Sequence, residues 1–264
     1  MENKKGRKAL EELIKRQDYL VVQGNDLAKS FGNLKAFEHR LLDYCFSYVQ
    51  KDSKPEERFV VETASLLKYL GLTSSGTNYE RVVKGFKTLN ENTALYLHVI
   101  DKNGVPGIRM TQLFSYIDYY QTGVIEFEFS KFAQPYVFEL KKNFYSFHLR
   151  ELALIKGKYT LVLLKLWEAN RFGNSKVSII QGHLEEWQGW FLGTENRMSA
   201  GVFKRDVLTR GSKELETKFP NINIELITHK KGRSVVGYEM IITDNSPEPR
   251  IEFFQRIDKE NGYL

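Results

Sequence analysis

The apolar residues of this chain spell out one order of elements twice, about 120 residues apart, and a duplication of that kind restricts the chain to a pair of like domains. The first pass begins near Tyr19. Leu34, Phe37, Leu41, Leu42, Cys45 and Tyr48 recur at helical spacing and predict an amphipathic helix over about 33–50. A charged loop, KDSKPEER, leads to the apolar run Phe59 to Val61, which suits a brief strand. A helix through ASLLKYLG stops at Gly71, and SSGT supplies capping hydroxyls for a longer helix, NYERVVKGFKTLNEN. ALYLHVI and IRMTQLFSYIDYY then alternate as strands about the turn DKNG, and GVIEFEFS closes the unit as a last strand.

The second pass repeats this. Leu152, Ile155, Tyr159, Val162, Leu163, Leu166 and Trp167 mark a helix, and Val177 to Ile180 a short strand. GHLEEWQGWFLG reads as a helix ending in glycine. A longer helix, MSAGVFKRDVLTRGSKELETKF, is stopped by Pro220. NINIELITH and SVVGYEMIIT alternate about the turn KKGR.

Helix, short strand, helix, helix, hairpin is the order of the winged-helix variant of helix-turn-helix, whose second helix enters the major groove with the hairpin alongside. The predicted fold class is therefore α+β: two tandem winged-helix domains related as an internal repeat. The expected divisions are a polar basic arm at 1–18, an N-terminal domain at 19–138, a C-terminal domain at 139–245 and a tail at 246–264. A length of 264 residues with 42% hydrophobic content agrees with two packed cores. Two small α+β domains without a nucleic-acid role have the same element order, so the placement of charge has to decide.

That charge is concentrated. The chain carries 39 Lys or Arg against 33 Asp or Glu, a net +6. Between Arg197 and Arg233 there are nine Lys or Arg and four Asp or Glu, so most of the excess sits on the second long helix and its hairpin. On that helix Phe203, Val207, Gly211 and Leu215, with Leu208 and Phe219, form an inward face. Val202, Arg205, Thr209, Lys213 and Glu216 lie opposite. Arg forks onto guanine and Thr reaches a base edge or a thymine methyl, so this stripe has the chemistry of base reading. Lys204 and Arg210 flank it within reach of phosphates, Ser199 stands at its start, and Lys230, Lys231 and Arg233 form the wing tip. The first unit's equivalent helix has Tyr79, Val82, Val83, Phe86 and Leu89 inward. Thr77, Asn78, Arg81, Lys84 and Thr88 lie outward with Lys87 at the flank, for a net charge of only +1 over 77–92. That helix fits either a weaker DNA contact or protein association.

Other chemistries find no support. The five histidines (39, 98, 148, 183, 229) form no His-x-His pair, so no metal site is expected, and the tyrosines of SYIDYY belong to a strand pattern. No G-x-x-x-x-G-K-[ST] run is present, so no nucleotide cofactor is expected. Glu185 and Glu186 beside Trp187 read as a solvated helix face. The one cysteine, Cys45, falls in a helix pattern as a buried, inert thiol. With no signal peptide pattern and no apolar run near 18 residues, a cytoplasmic protein without a membrane partner or catalytic site is expected.

The residues also carry a resemblance. VVQGNDLAKSFGNLKAFEHRLLDY, through Asn25, Leu27, Phe37, Glu38, Arg40 and Leu41, is similar to the opening of the iteron-binding plasmid replication initiators, often called the initiator Rep or Rep-3 type. FKRDVLTRGSKEL resembles that family's second reading helix, and THKKGR with the strand after it resembles its second wing; the likeness spans roughly 20–243. It implies two winged-helix domains gripping one origin repeat, the C-terminal one reading bases through 198–215 and the N-terminal one contacting the rest of the repeat and dimerising. It further implies monomers that bind direct repeats in double-stranded DNA, help open the duplex and engage host helicase or initiator proteins. Homodimers in equilibrium with those monomers would bind an inverted repeat and repress the initiator's own gene. Carried over, Lys204, Arg205, Thr209 and Lys213 become base or phosphate readers, with Lys230, Lys231 and Arg233 on the wing. Asp206 interrupts a run that is more basic in relatives. A winged-helix transcriptional regulator, a nicking enzyme and a protein-association scaffold are the competing readings.

Overall fold

The computed structural model describes residues 20–24, 31–49, 53–54, 56–104, 106–137, 144–148, 155–171, 175–193 and 196–247. The expected basic arm (Lys4, Lys5, Arg7, Lys8), Asn25, Leu27 and all but the first two residues of the expected tail lie outside them.

The first unit starts with strand β1 (Leu20–Gly24) and helix α1 (Ala36–Phe46). Strand β2 (Phe59–Glu62), helix α2 (Thr63–Tyr69) and helix α3 (Gly76–Asn92) follow. Four strands come next: β3 (Ala94–Ile100), β4 (Pro106–Gln112), β5 (Phe114–Tyr119) and β6 (Val124–Phe129). Helix α3 begins where it does because Ser75, in extended backbone, accepts from the Asn78 amide. After the short helix α4 (Gln134–Val137), β7 (Phe144–His148) returns to pair antiparallel with β1. That pairing crosses the division expected at 138.

The second unit comprises α5 (Lys158–Ala169), β8 (Val177–His183), α6 (Leu184–Leu192) and a long helix in three parts, then β9 (Ile222–Lys231) and β10 (Ser234–Asp244). The parts of the long helix are α7 (Ala200–Phe203), a π-helical turn (Lys204–Thr209) and α8 (Arg210–Lys218). Together they are called the reader helix below.

The duplication is visible in the sheets. One three-stranded sheet has the order β2-β6-β5 and the other β8-β10-β9, so in each unit the short strand before the helix pair lies against the last strand. This corrects one expectation. IRMTQLFSYIDYY is two strands: the backbone turns at buried Leu113, whose amide donates to Thr93 O and whose carbonyl accepts from Ser130 N. The counterpart of the β9–β10 wing is therefore β5–β6, and β3–β4 is a separate two-stranded hairpin inserted before it.

Each core is aromatic. Phe46, Phe59, Phe114, Phe127 and Phe129 pack ring on ring in the first unit, and Trp187, Phe191, Phe203 and Tyr238 in the second. Trp187 Nε1 satisfies itself on Tyr238 O at 2.9 Å, as a buried indole must. A glycine lets each reading helix approach the first helix of its unit. A Cβ on Gly85 of α3 would strike Leu41 and Phe37 of α1, and one on Gly211 would sit against the Tyr159 backbone of α5.

The two units meet along α1 and α5. Lys165 Nζ lies 2.6 Å from Asp43 Oδ1 and 3.3 Å from His39 Nδ1, all three side chains being buried. Arg40 donates to Ile155 O and Lys158 to Gly32 O. Gly32 in turn lies so close to the Trp190 and Gly189 carbonyls at the end of α6 that no side chain fits between them.

Candidate nucleic-acid interface

The reader helix is fastened on three sides. Phe203, Val207, Leu208 and Leu215 are fully buried against the second core. Tyr238 Oη donates to Ala200 O at 2.7 Å, which ties the start of the helix to β10. Glu214 holds the other end: its carboxylate accepts from the Lys156 and Gly157 amides just before α5 and from Thr160 Oγ1 at 2.6 Å. Burial works against ionisation of Glu214, and these donors outweigh it, holding the carboxyl below its usual range.

The opposite side of the helix is open. Arg205, Arg210 and Lys213 are exposed, as is Ser199 at the N-cap; Thr209 is half-buried. Lys204 turns toward the wing and donates to Thr228 Oγ1 on β9 at 2.8 Å, so it joins reader to wing. Glu216, the last residue of the expected stripe, accepts from the Ile224 amide and is part of the scaffold. The wing runs beside the reader, turning at Gly232, whose φ of 62° suits glycine. Lys230, Lys231 and Arg233 are exposed at its tip. Reader and wing thus carry exposed cations at Arg205, Arg210, Lys213, Lys230, Lys231 and Arg233, and Lys204 links the two elements.

Arg205 carries a partner that spacing rules do not foresee. Its Nε and Nη2 donate to Asp206 Oδ1 and Oδ2, both at 2.7 Å. The hydrogen bond to Asp206 raises the guanidinium further above its usual range and holds the carboxyl below its own. Adjacent residues on a regular helix do not face each other. Arg205 and Asp206 nonetheless both lie within the π-helical turn with their side chains reaching solvent, while Val207 and Leu208 are buried.

The first unit's candidates are differently placed. Thr77, Arg81, Lys84 and Lys87 are exposed along α3, with Thr88 half-buried. Lys84 pairs with Glu80 at 2.6 Å and Lys87 with Glu91 at 3.6 Å, and Arg81 stacks over the Phe37 ring at 4.2 Å. Asn78 is occupied in the turn before the helix, donating to Thr73 O at 2.9 Å. Lys35, which sequence reasoning missed because it precedes α1, lines a shallow cleft with Phe37, Thr77, Arg81 and Lys84.

Among the described residues no group of His, Cys, Asp or Glu has the geometry of a metal site, and no helix is long and apolar enough to cross a membrane. Cys45 is buried, and burial pushes its thiol far above the usual range.

A family sequence model described as Initiator Replication protein, WH1, matches residues 20–168, and another, Initiator Rep protein, WH2, matches residues 183–242. The chain belongs to the replication initiator family. Both units of the initiator are winged-helix domains. The Pi initiator protein, solved in complex with iteron DNA, has a similar fold with a TM-score of 0.66 at 16% identity, over 88% of this chain and 99% of that one. Domains 2 and 3 of RctB match with a TM-score of 0.47 at 12% identity, over 84% of this chain and 82% of that one. No curated protein matches the chain.

Proposed function

We propose that this initiator binds direct repeats in double-stranded DNA at a plasmid origin as a monomer, one winged-helix unit on each part of a repeat. The observation that carries the reading is the exposed surface of Arg205, Arg210, Lys213, Lys230, Lys231 and Arg233, set on a helix and wing shaped for the major groove and the adjacent backbone. The Pi initiator, with its iteron DNA, supports the same reading by analogy of fold. The α3 cations, each engaged with a carboxylate or a ring, suit a weaker, phosphate-directed contact by the first unit.

Opening of the duplex then draws on binding free energy used to bend and untwist DNA, with no catalytic step, and host helicase or initiator proteins are recruited to the opened region. A homodimer in equilibrium with the monomer binds an inverted repeat and represses the initiator's own gene. The protein acts in the cytoplasm.

The test is selection of bound duplex from a random library of about 30 base pairs, longer than two helical turns. The expected outcome is one consensus of about two turns, bound at least a thousandfold more tightly than random duplex, and arrays of it that support replication of a plasmid supplied with the protein. Selection without a consensus contradicts DNA reading altogether. A consensus that never supports replication leaves a transcriptional regulator, and relaxation of supercoiled DNA with a divalent metal marks a nicking enzyme.

A further inference from the structure

The geometry points to Asp206 as the positioning residue that aims Arg205 at a guanine. This inference rests on the DNA-reading function proposed above and adds to it the identity of the base and the device that selects it. A guanidinium has five N–H donors in one plane. Asp206 takes two of them, Nε and one hydrogen of Nη2, through both carboxylate oxygens at 2.7 Å. The pairing is side-on, so it leaves unused by Asp206 the far edge of the fork, where Nη1 and Nη2 each keep an N–H, on a side chain that is mostly in solvent. Two parallel donors on that edge match the O6 and N7 acceptors that guanine alone presents together in the major groove.

The side chains are exposed, 72% for Arg205 and 46% for Asp206, so the pair contributes little to folding and is free to meet a ligand. Its role is orientation. A lone arginine sweeps many rotamers and settles on any phosphate; one clamped along Nε presents a single edge in a single direction. Asp206 also places a negative charge on a surface that faces phosphates. That weakens attraction to any duplex and leaves the guanine contact as the compensating term, which widens the gap between cognate and random DNA. Both residues lie within the π-helical turn, with their side chains on the outer face of the reader helix.

The experiment uses the full chain and the selected repeat, with each guanine replaced in turn by 7-deazaguanine, which lacks the N7 acceptor. Wild type is expected to lose roughly tenfold in affinity at one guanine. Arg205→Ala loses sensitivity at that guanine alone. Asp206→Ala and the isosteric Asp206→Asn cut the penalty there to under about threefold, bind random duplex more tightly than wild type, and leave the thermal unfolding midpoint in place. Retention of the full guanine penalty by both Asp206 variants overturns the inference. So does an increased penalty, which would make Asp206 a competitor for the fork. If wild type fails to distinguish the repeat from random duplex, DNA reading and this inference fall together; discrimination that survives in the Asp206 variants sinks only the inference.

Discussion

Lys165 illustrates how much a single residue of this chain is asked to do. Its ammonium is 4% exposed and meets Asp43, which is fully buried, at 2.6 Å. Lys165 has only donors, so His39 Nδ1 at 3.3 Å must accept, which places the His39 proton on Nε2 and leaves the ring neutral. Burial, reinforced by the charges of Lys165 and Lys158, holds His39 well below its ordinary value of 6.5. In the unfolded chain His39 titrates near that ordinary value. Below about pH 6.5 the unfolded state therefore binds a proton that the folded state refuses, and stability falls with pH by up to about 1.4 kcal/mol per unit. Thermal unfolding between pH 7.5 and 5.5 should show this loss in wild type and a shallower one in His39→Gln; parallel curves would mean that His39 titrates freely. Lys165→Met leaves the Asp43 carboxylate buried without its cation, and urea unfolding should register a loss of about 3–5 kcal/mol. A loss below about 1 kcal/mol would show the seam to be solvated.

At the scale of elements, the reader helix is held from behind by Glu214 and from beside by Lys204, while its function faces forward. Glu214→Ala leaves the Lys156 and Gly157 amides and the Thr160 hydroxyl without their acceptor and should cost about 1–3 kcal/mol in chemical unfolding while leaving the DNA salt dependence unchanged. Lys231→Ala should do the reverse, lowering the slope of log affinity against log salt by about 0.9 with unfolding unaltered. An unchanged slope removes the wing from the backbone. Much of this helix was legible in the sequence: Phe203, Val207, Gly211 and Leu215 recur every four residues and are all buried. Its π turn was not, because the same spacing suits α and π winding, and neither was the Arg205–Asp206 pair, which lies within that turn. The strand break at Leu113 did leave a trace in the sequence. The adjacent apolar pair Leu113 and Phe114, both buried, breaks the alternation of IRMTQLFSYIDYY there, and the hydrogen bonds of Leu113 to Thr93 and Ser130 divide the strands. Lys165 escaped notice because α5 is buried all round, from Thr160 to Glu168, so no polar face marks where a lysine should point.

The whole molecule is two copies of one plan joined by a polar seam. The β2-β6-β5 and β8-β10-β9 orders match, and the repeat legible in the sequence is the repeat seen in the sheets. The order of elements predicted the pair but not their junction, since β1–β7 and α1–α5 contacts join residues more than a hundred positions apart. Because the seam fixes the units relative to each other, a repeat should tolerate no change of phase between its halves. Inserting about five base pairs, half a helical turn, at the centre of the repeat should reduce affinity to that of a single unit. Unchanged affinity would indicate units that move independently. The cationic surface is the other property of the whole, and it resides in the second copy. The most direct measurement is the affinity of Arg205→Ala for the selected repeat and for random duplex, side by side at one salt concentration. A loss of about 5- to 150-fold on the repeat and little on random DNA is predicted; an equal loss on both would place Arg205 on phosphate and contradict base reading by this helix.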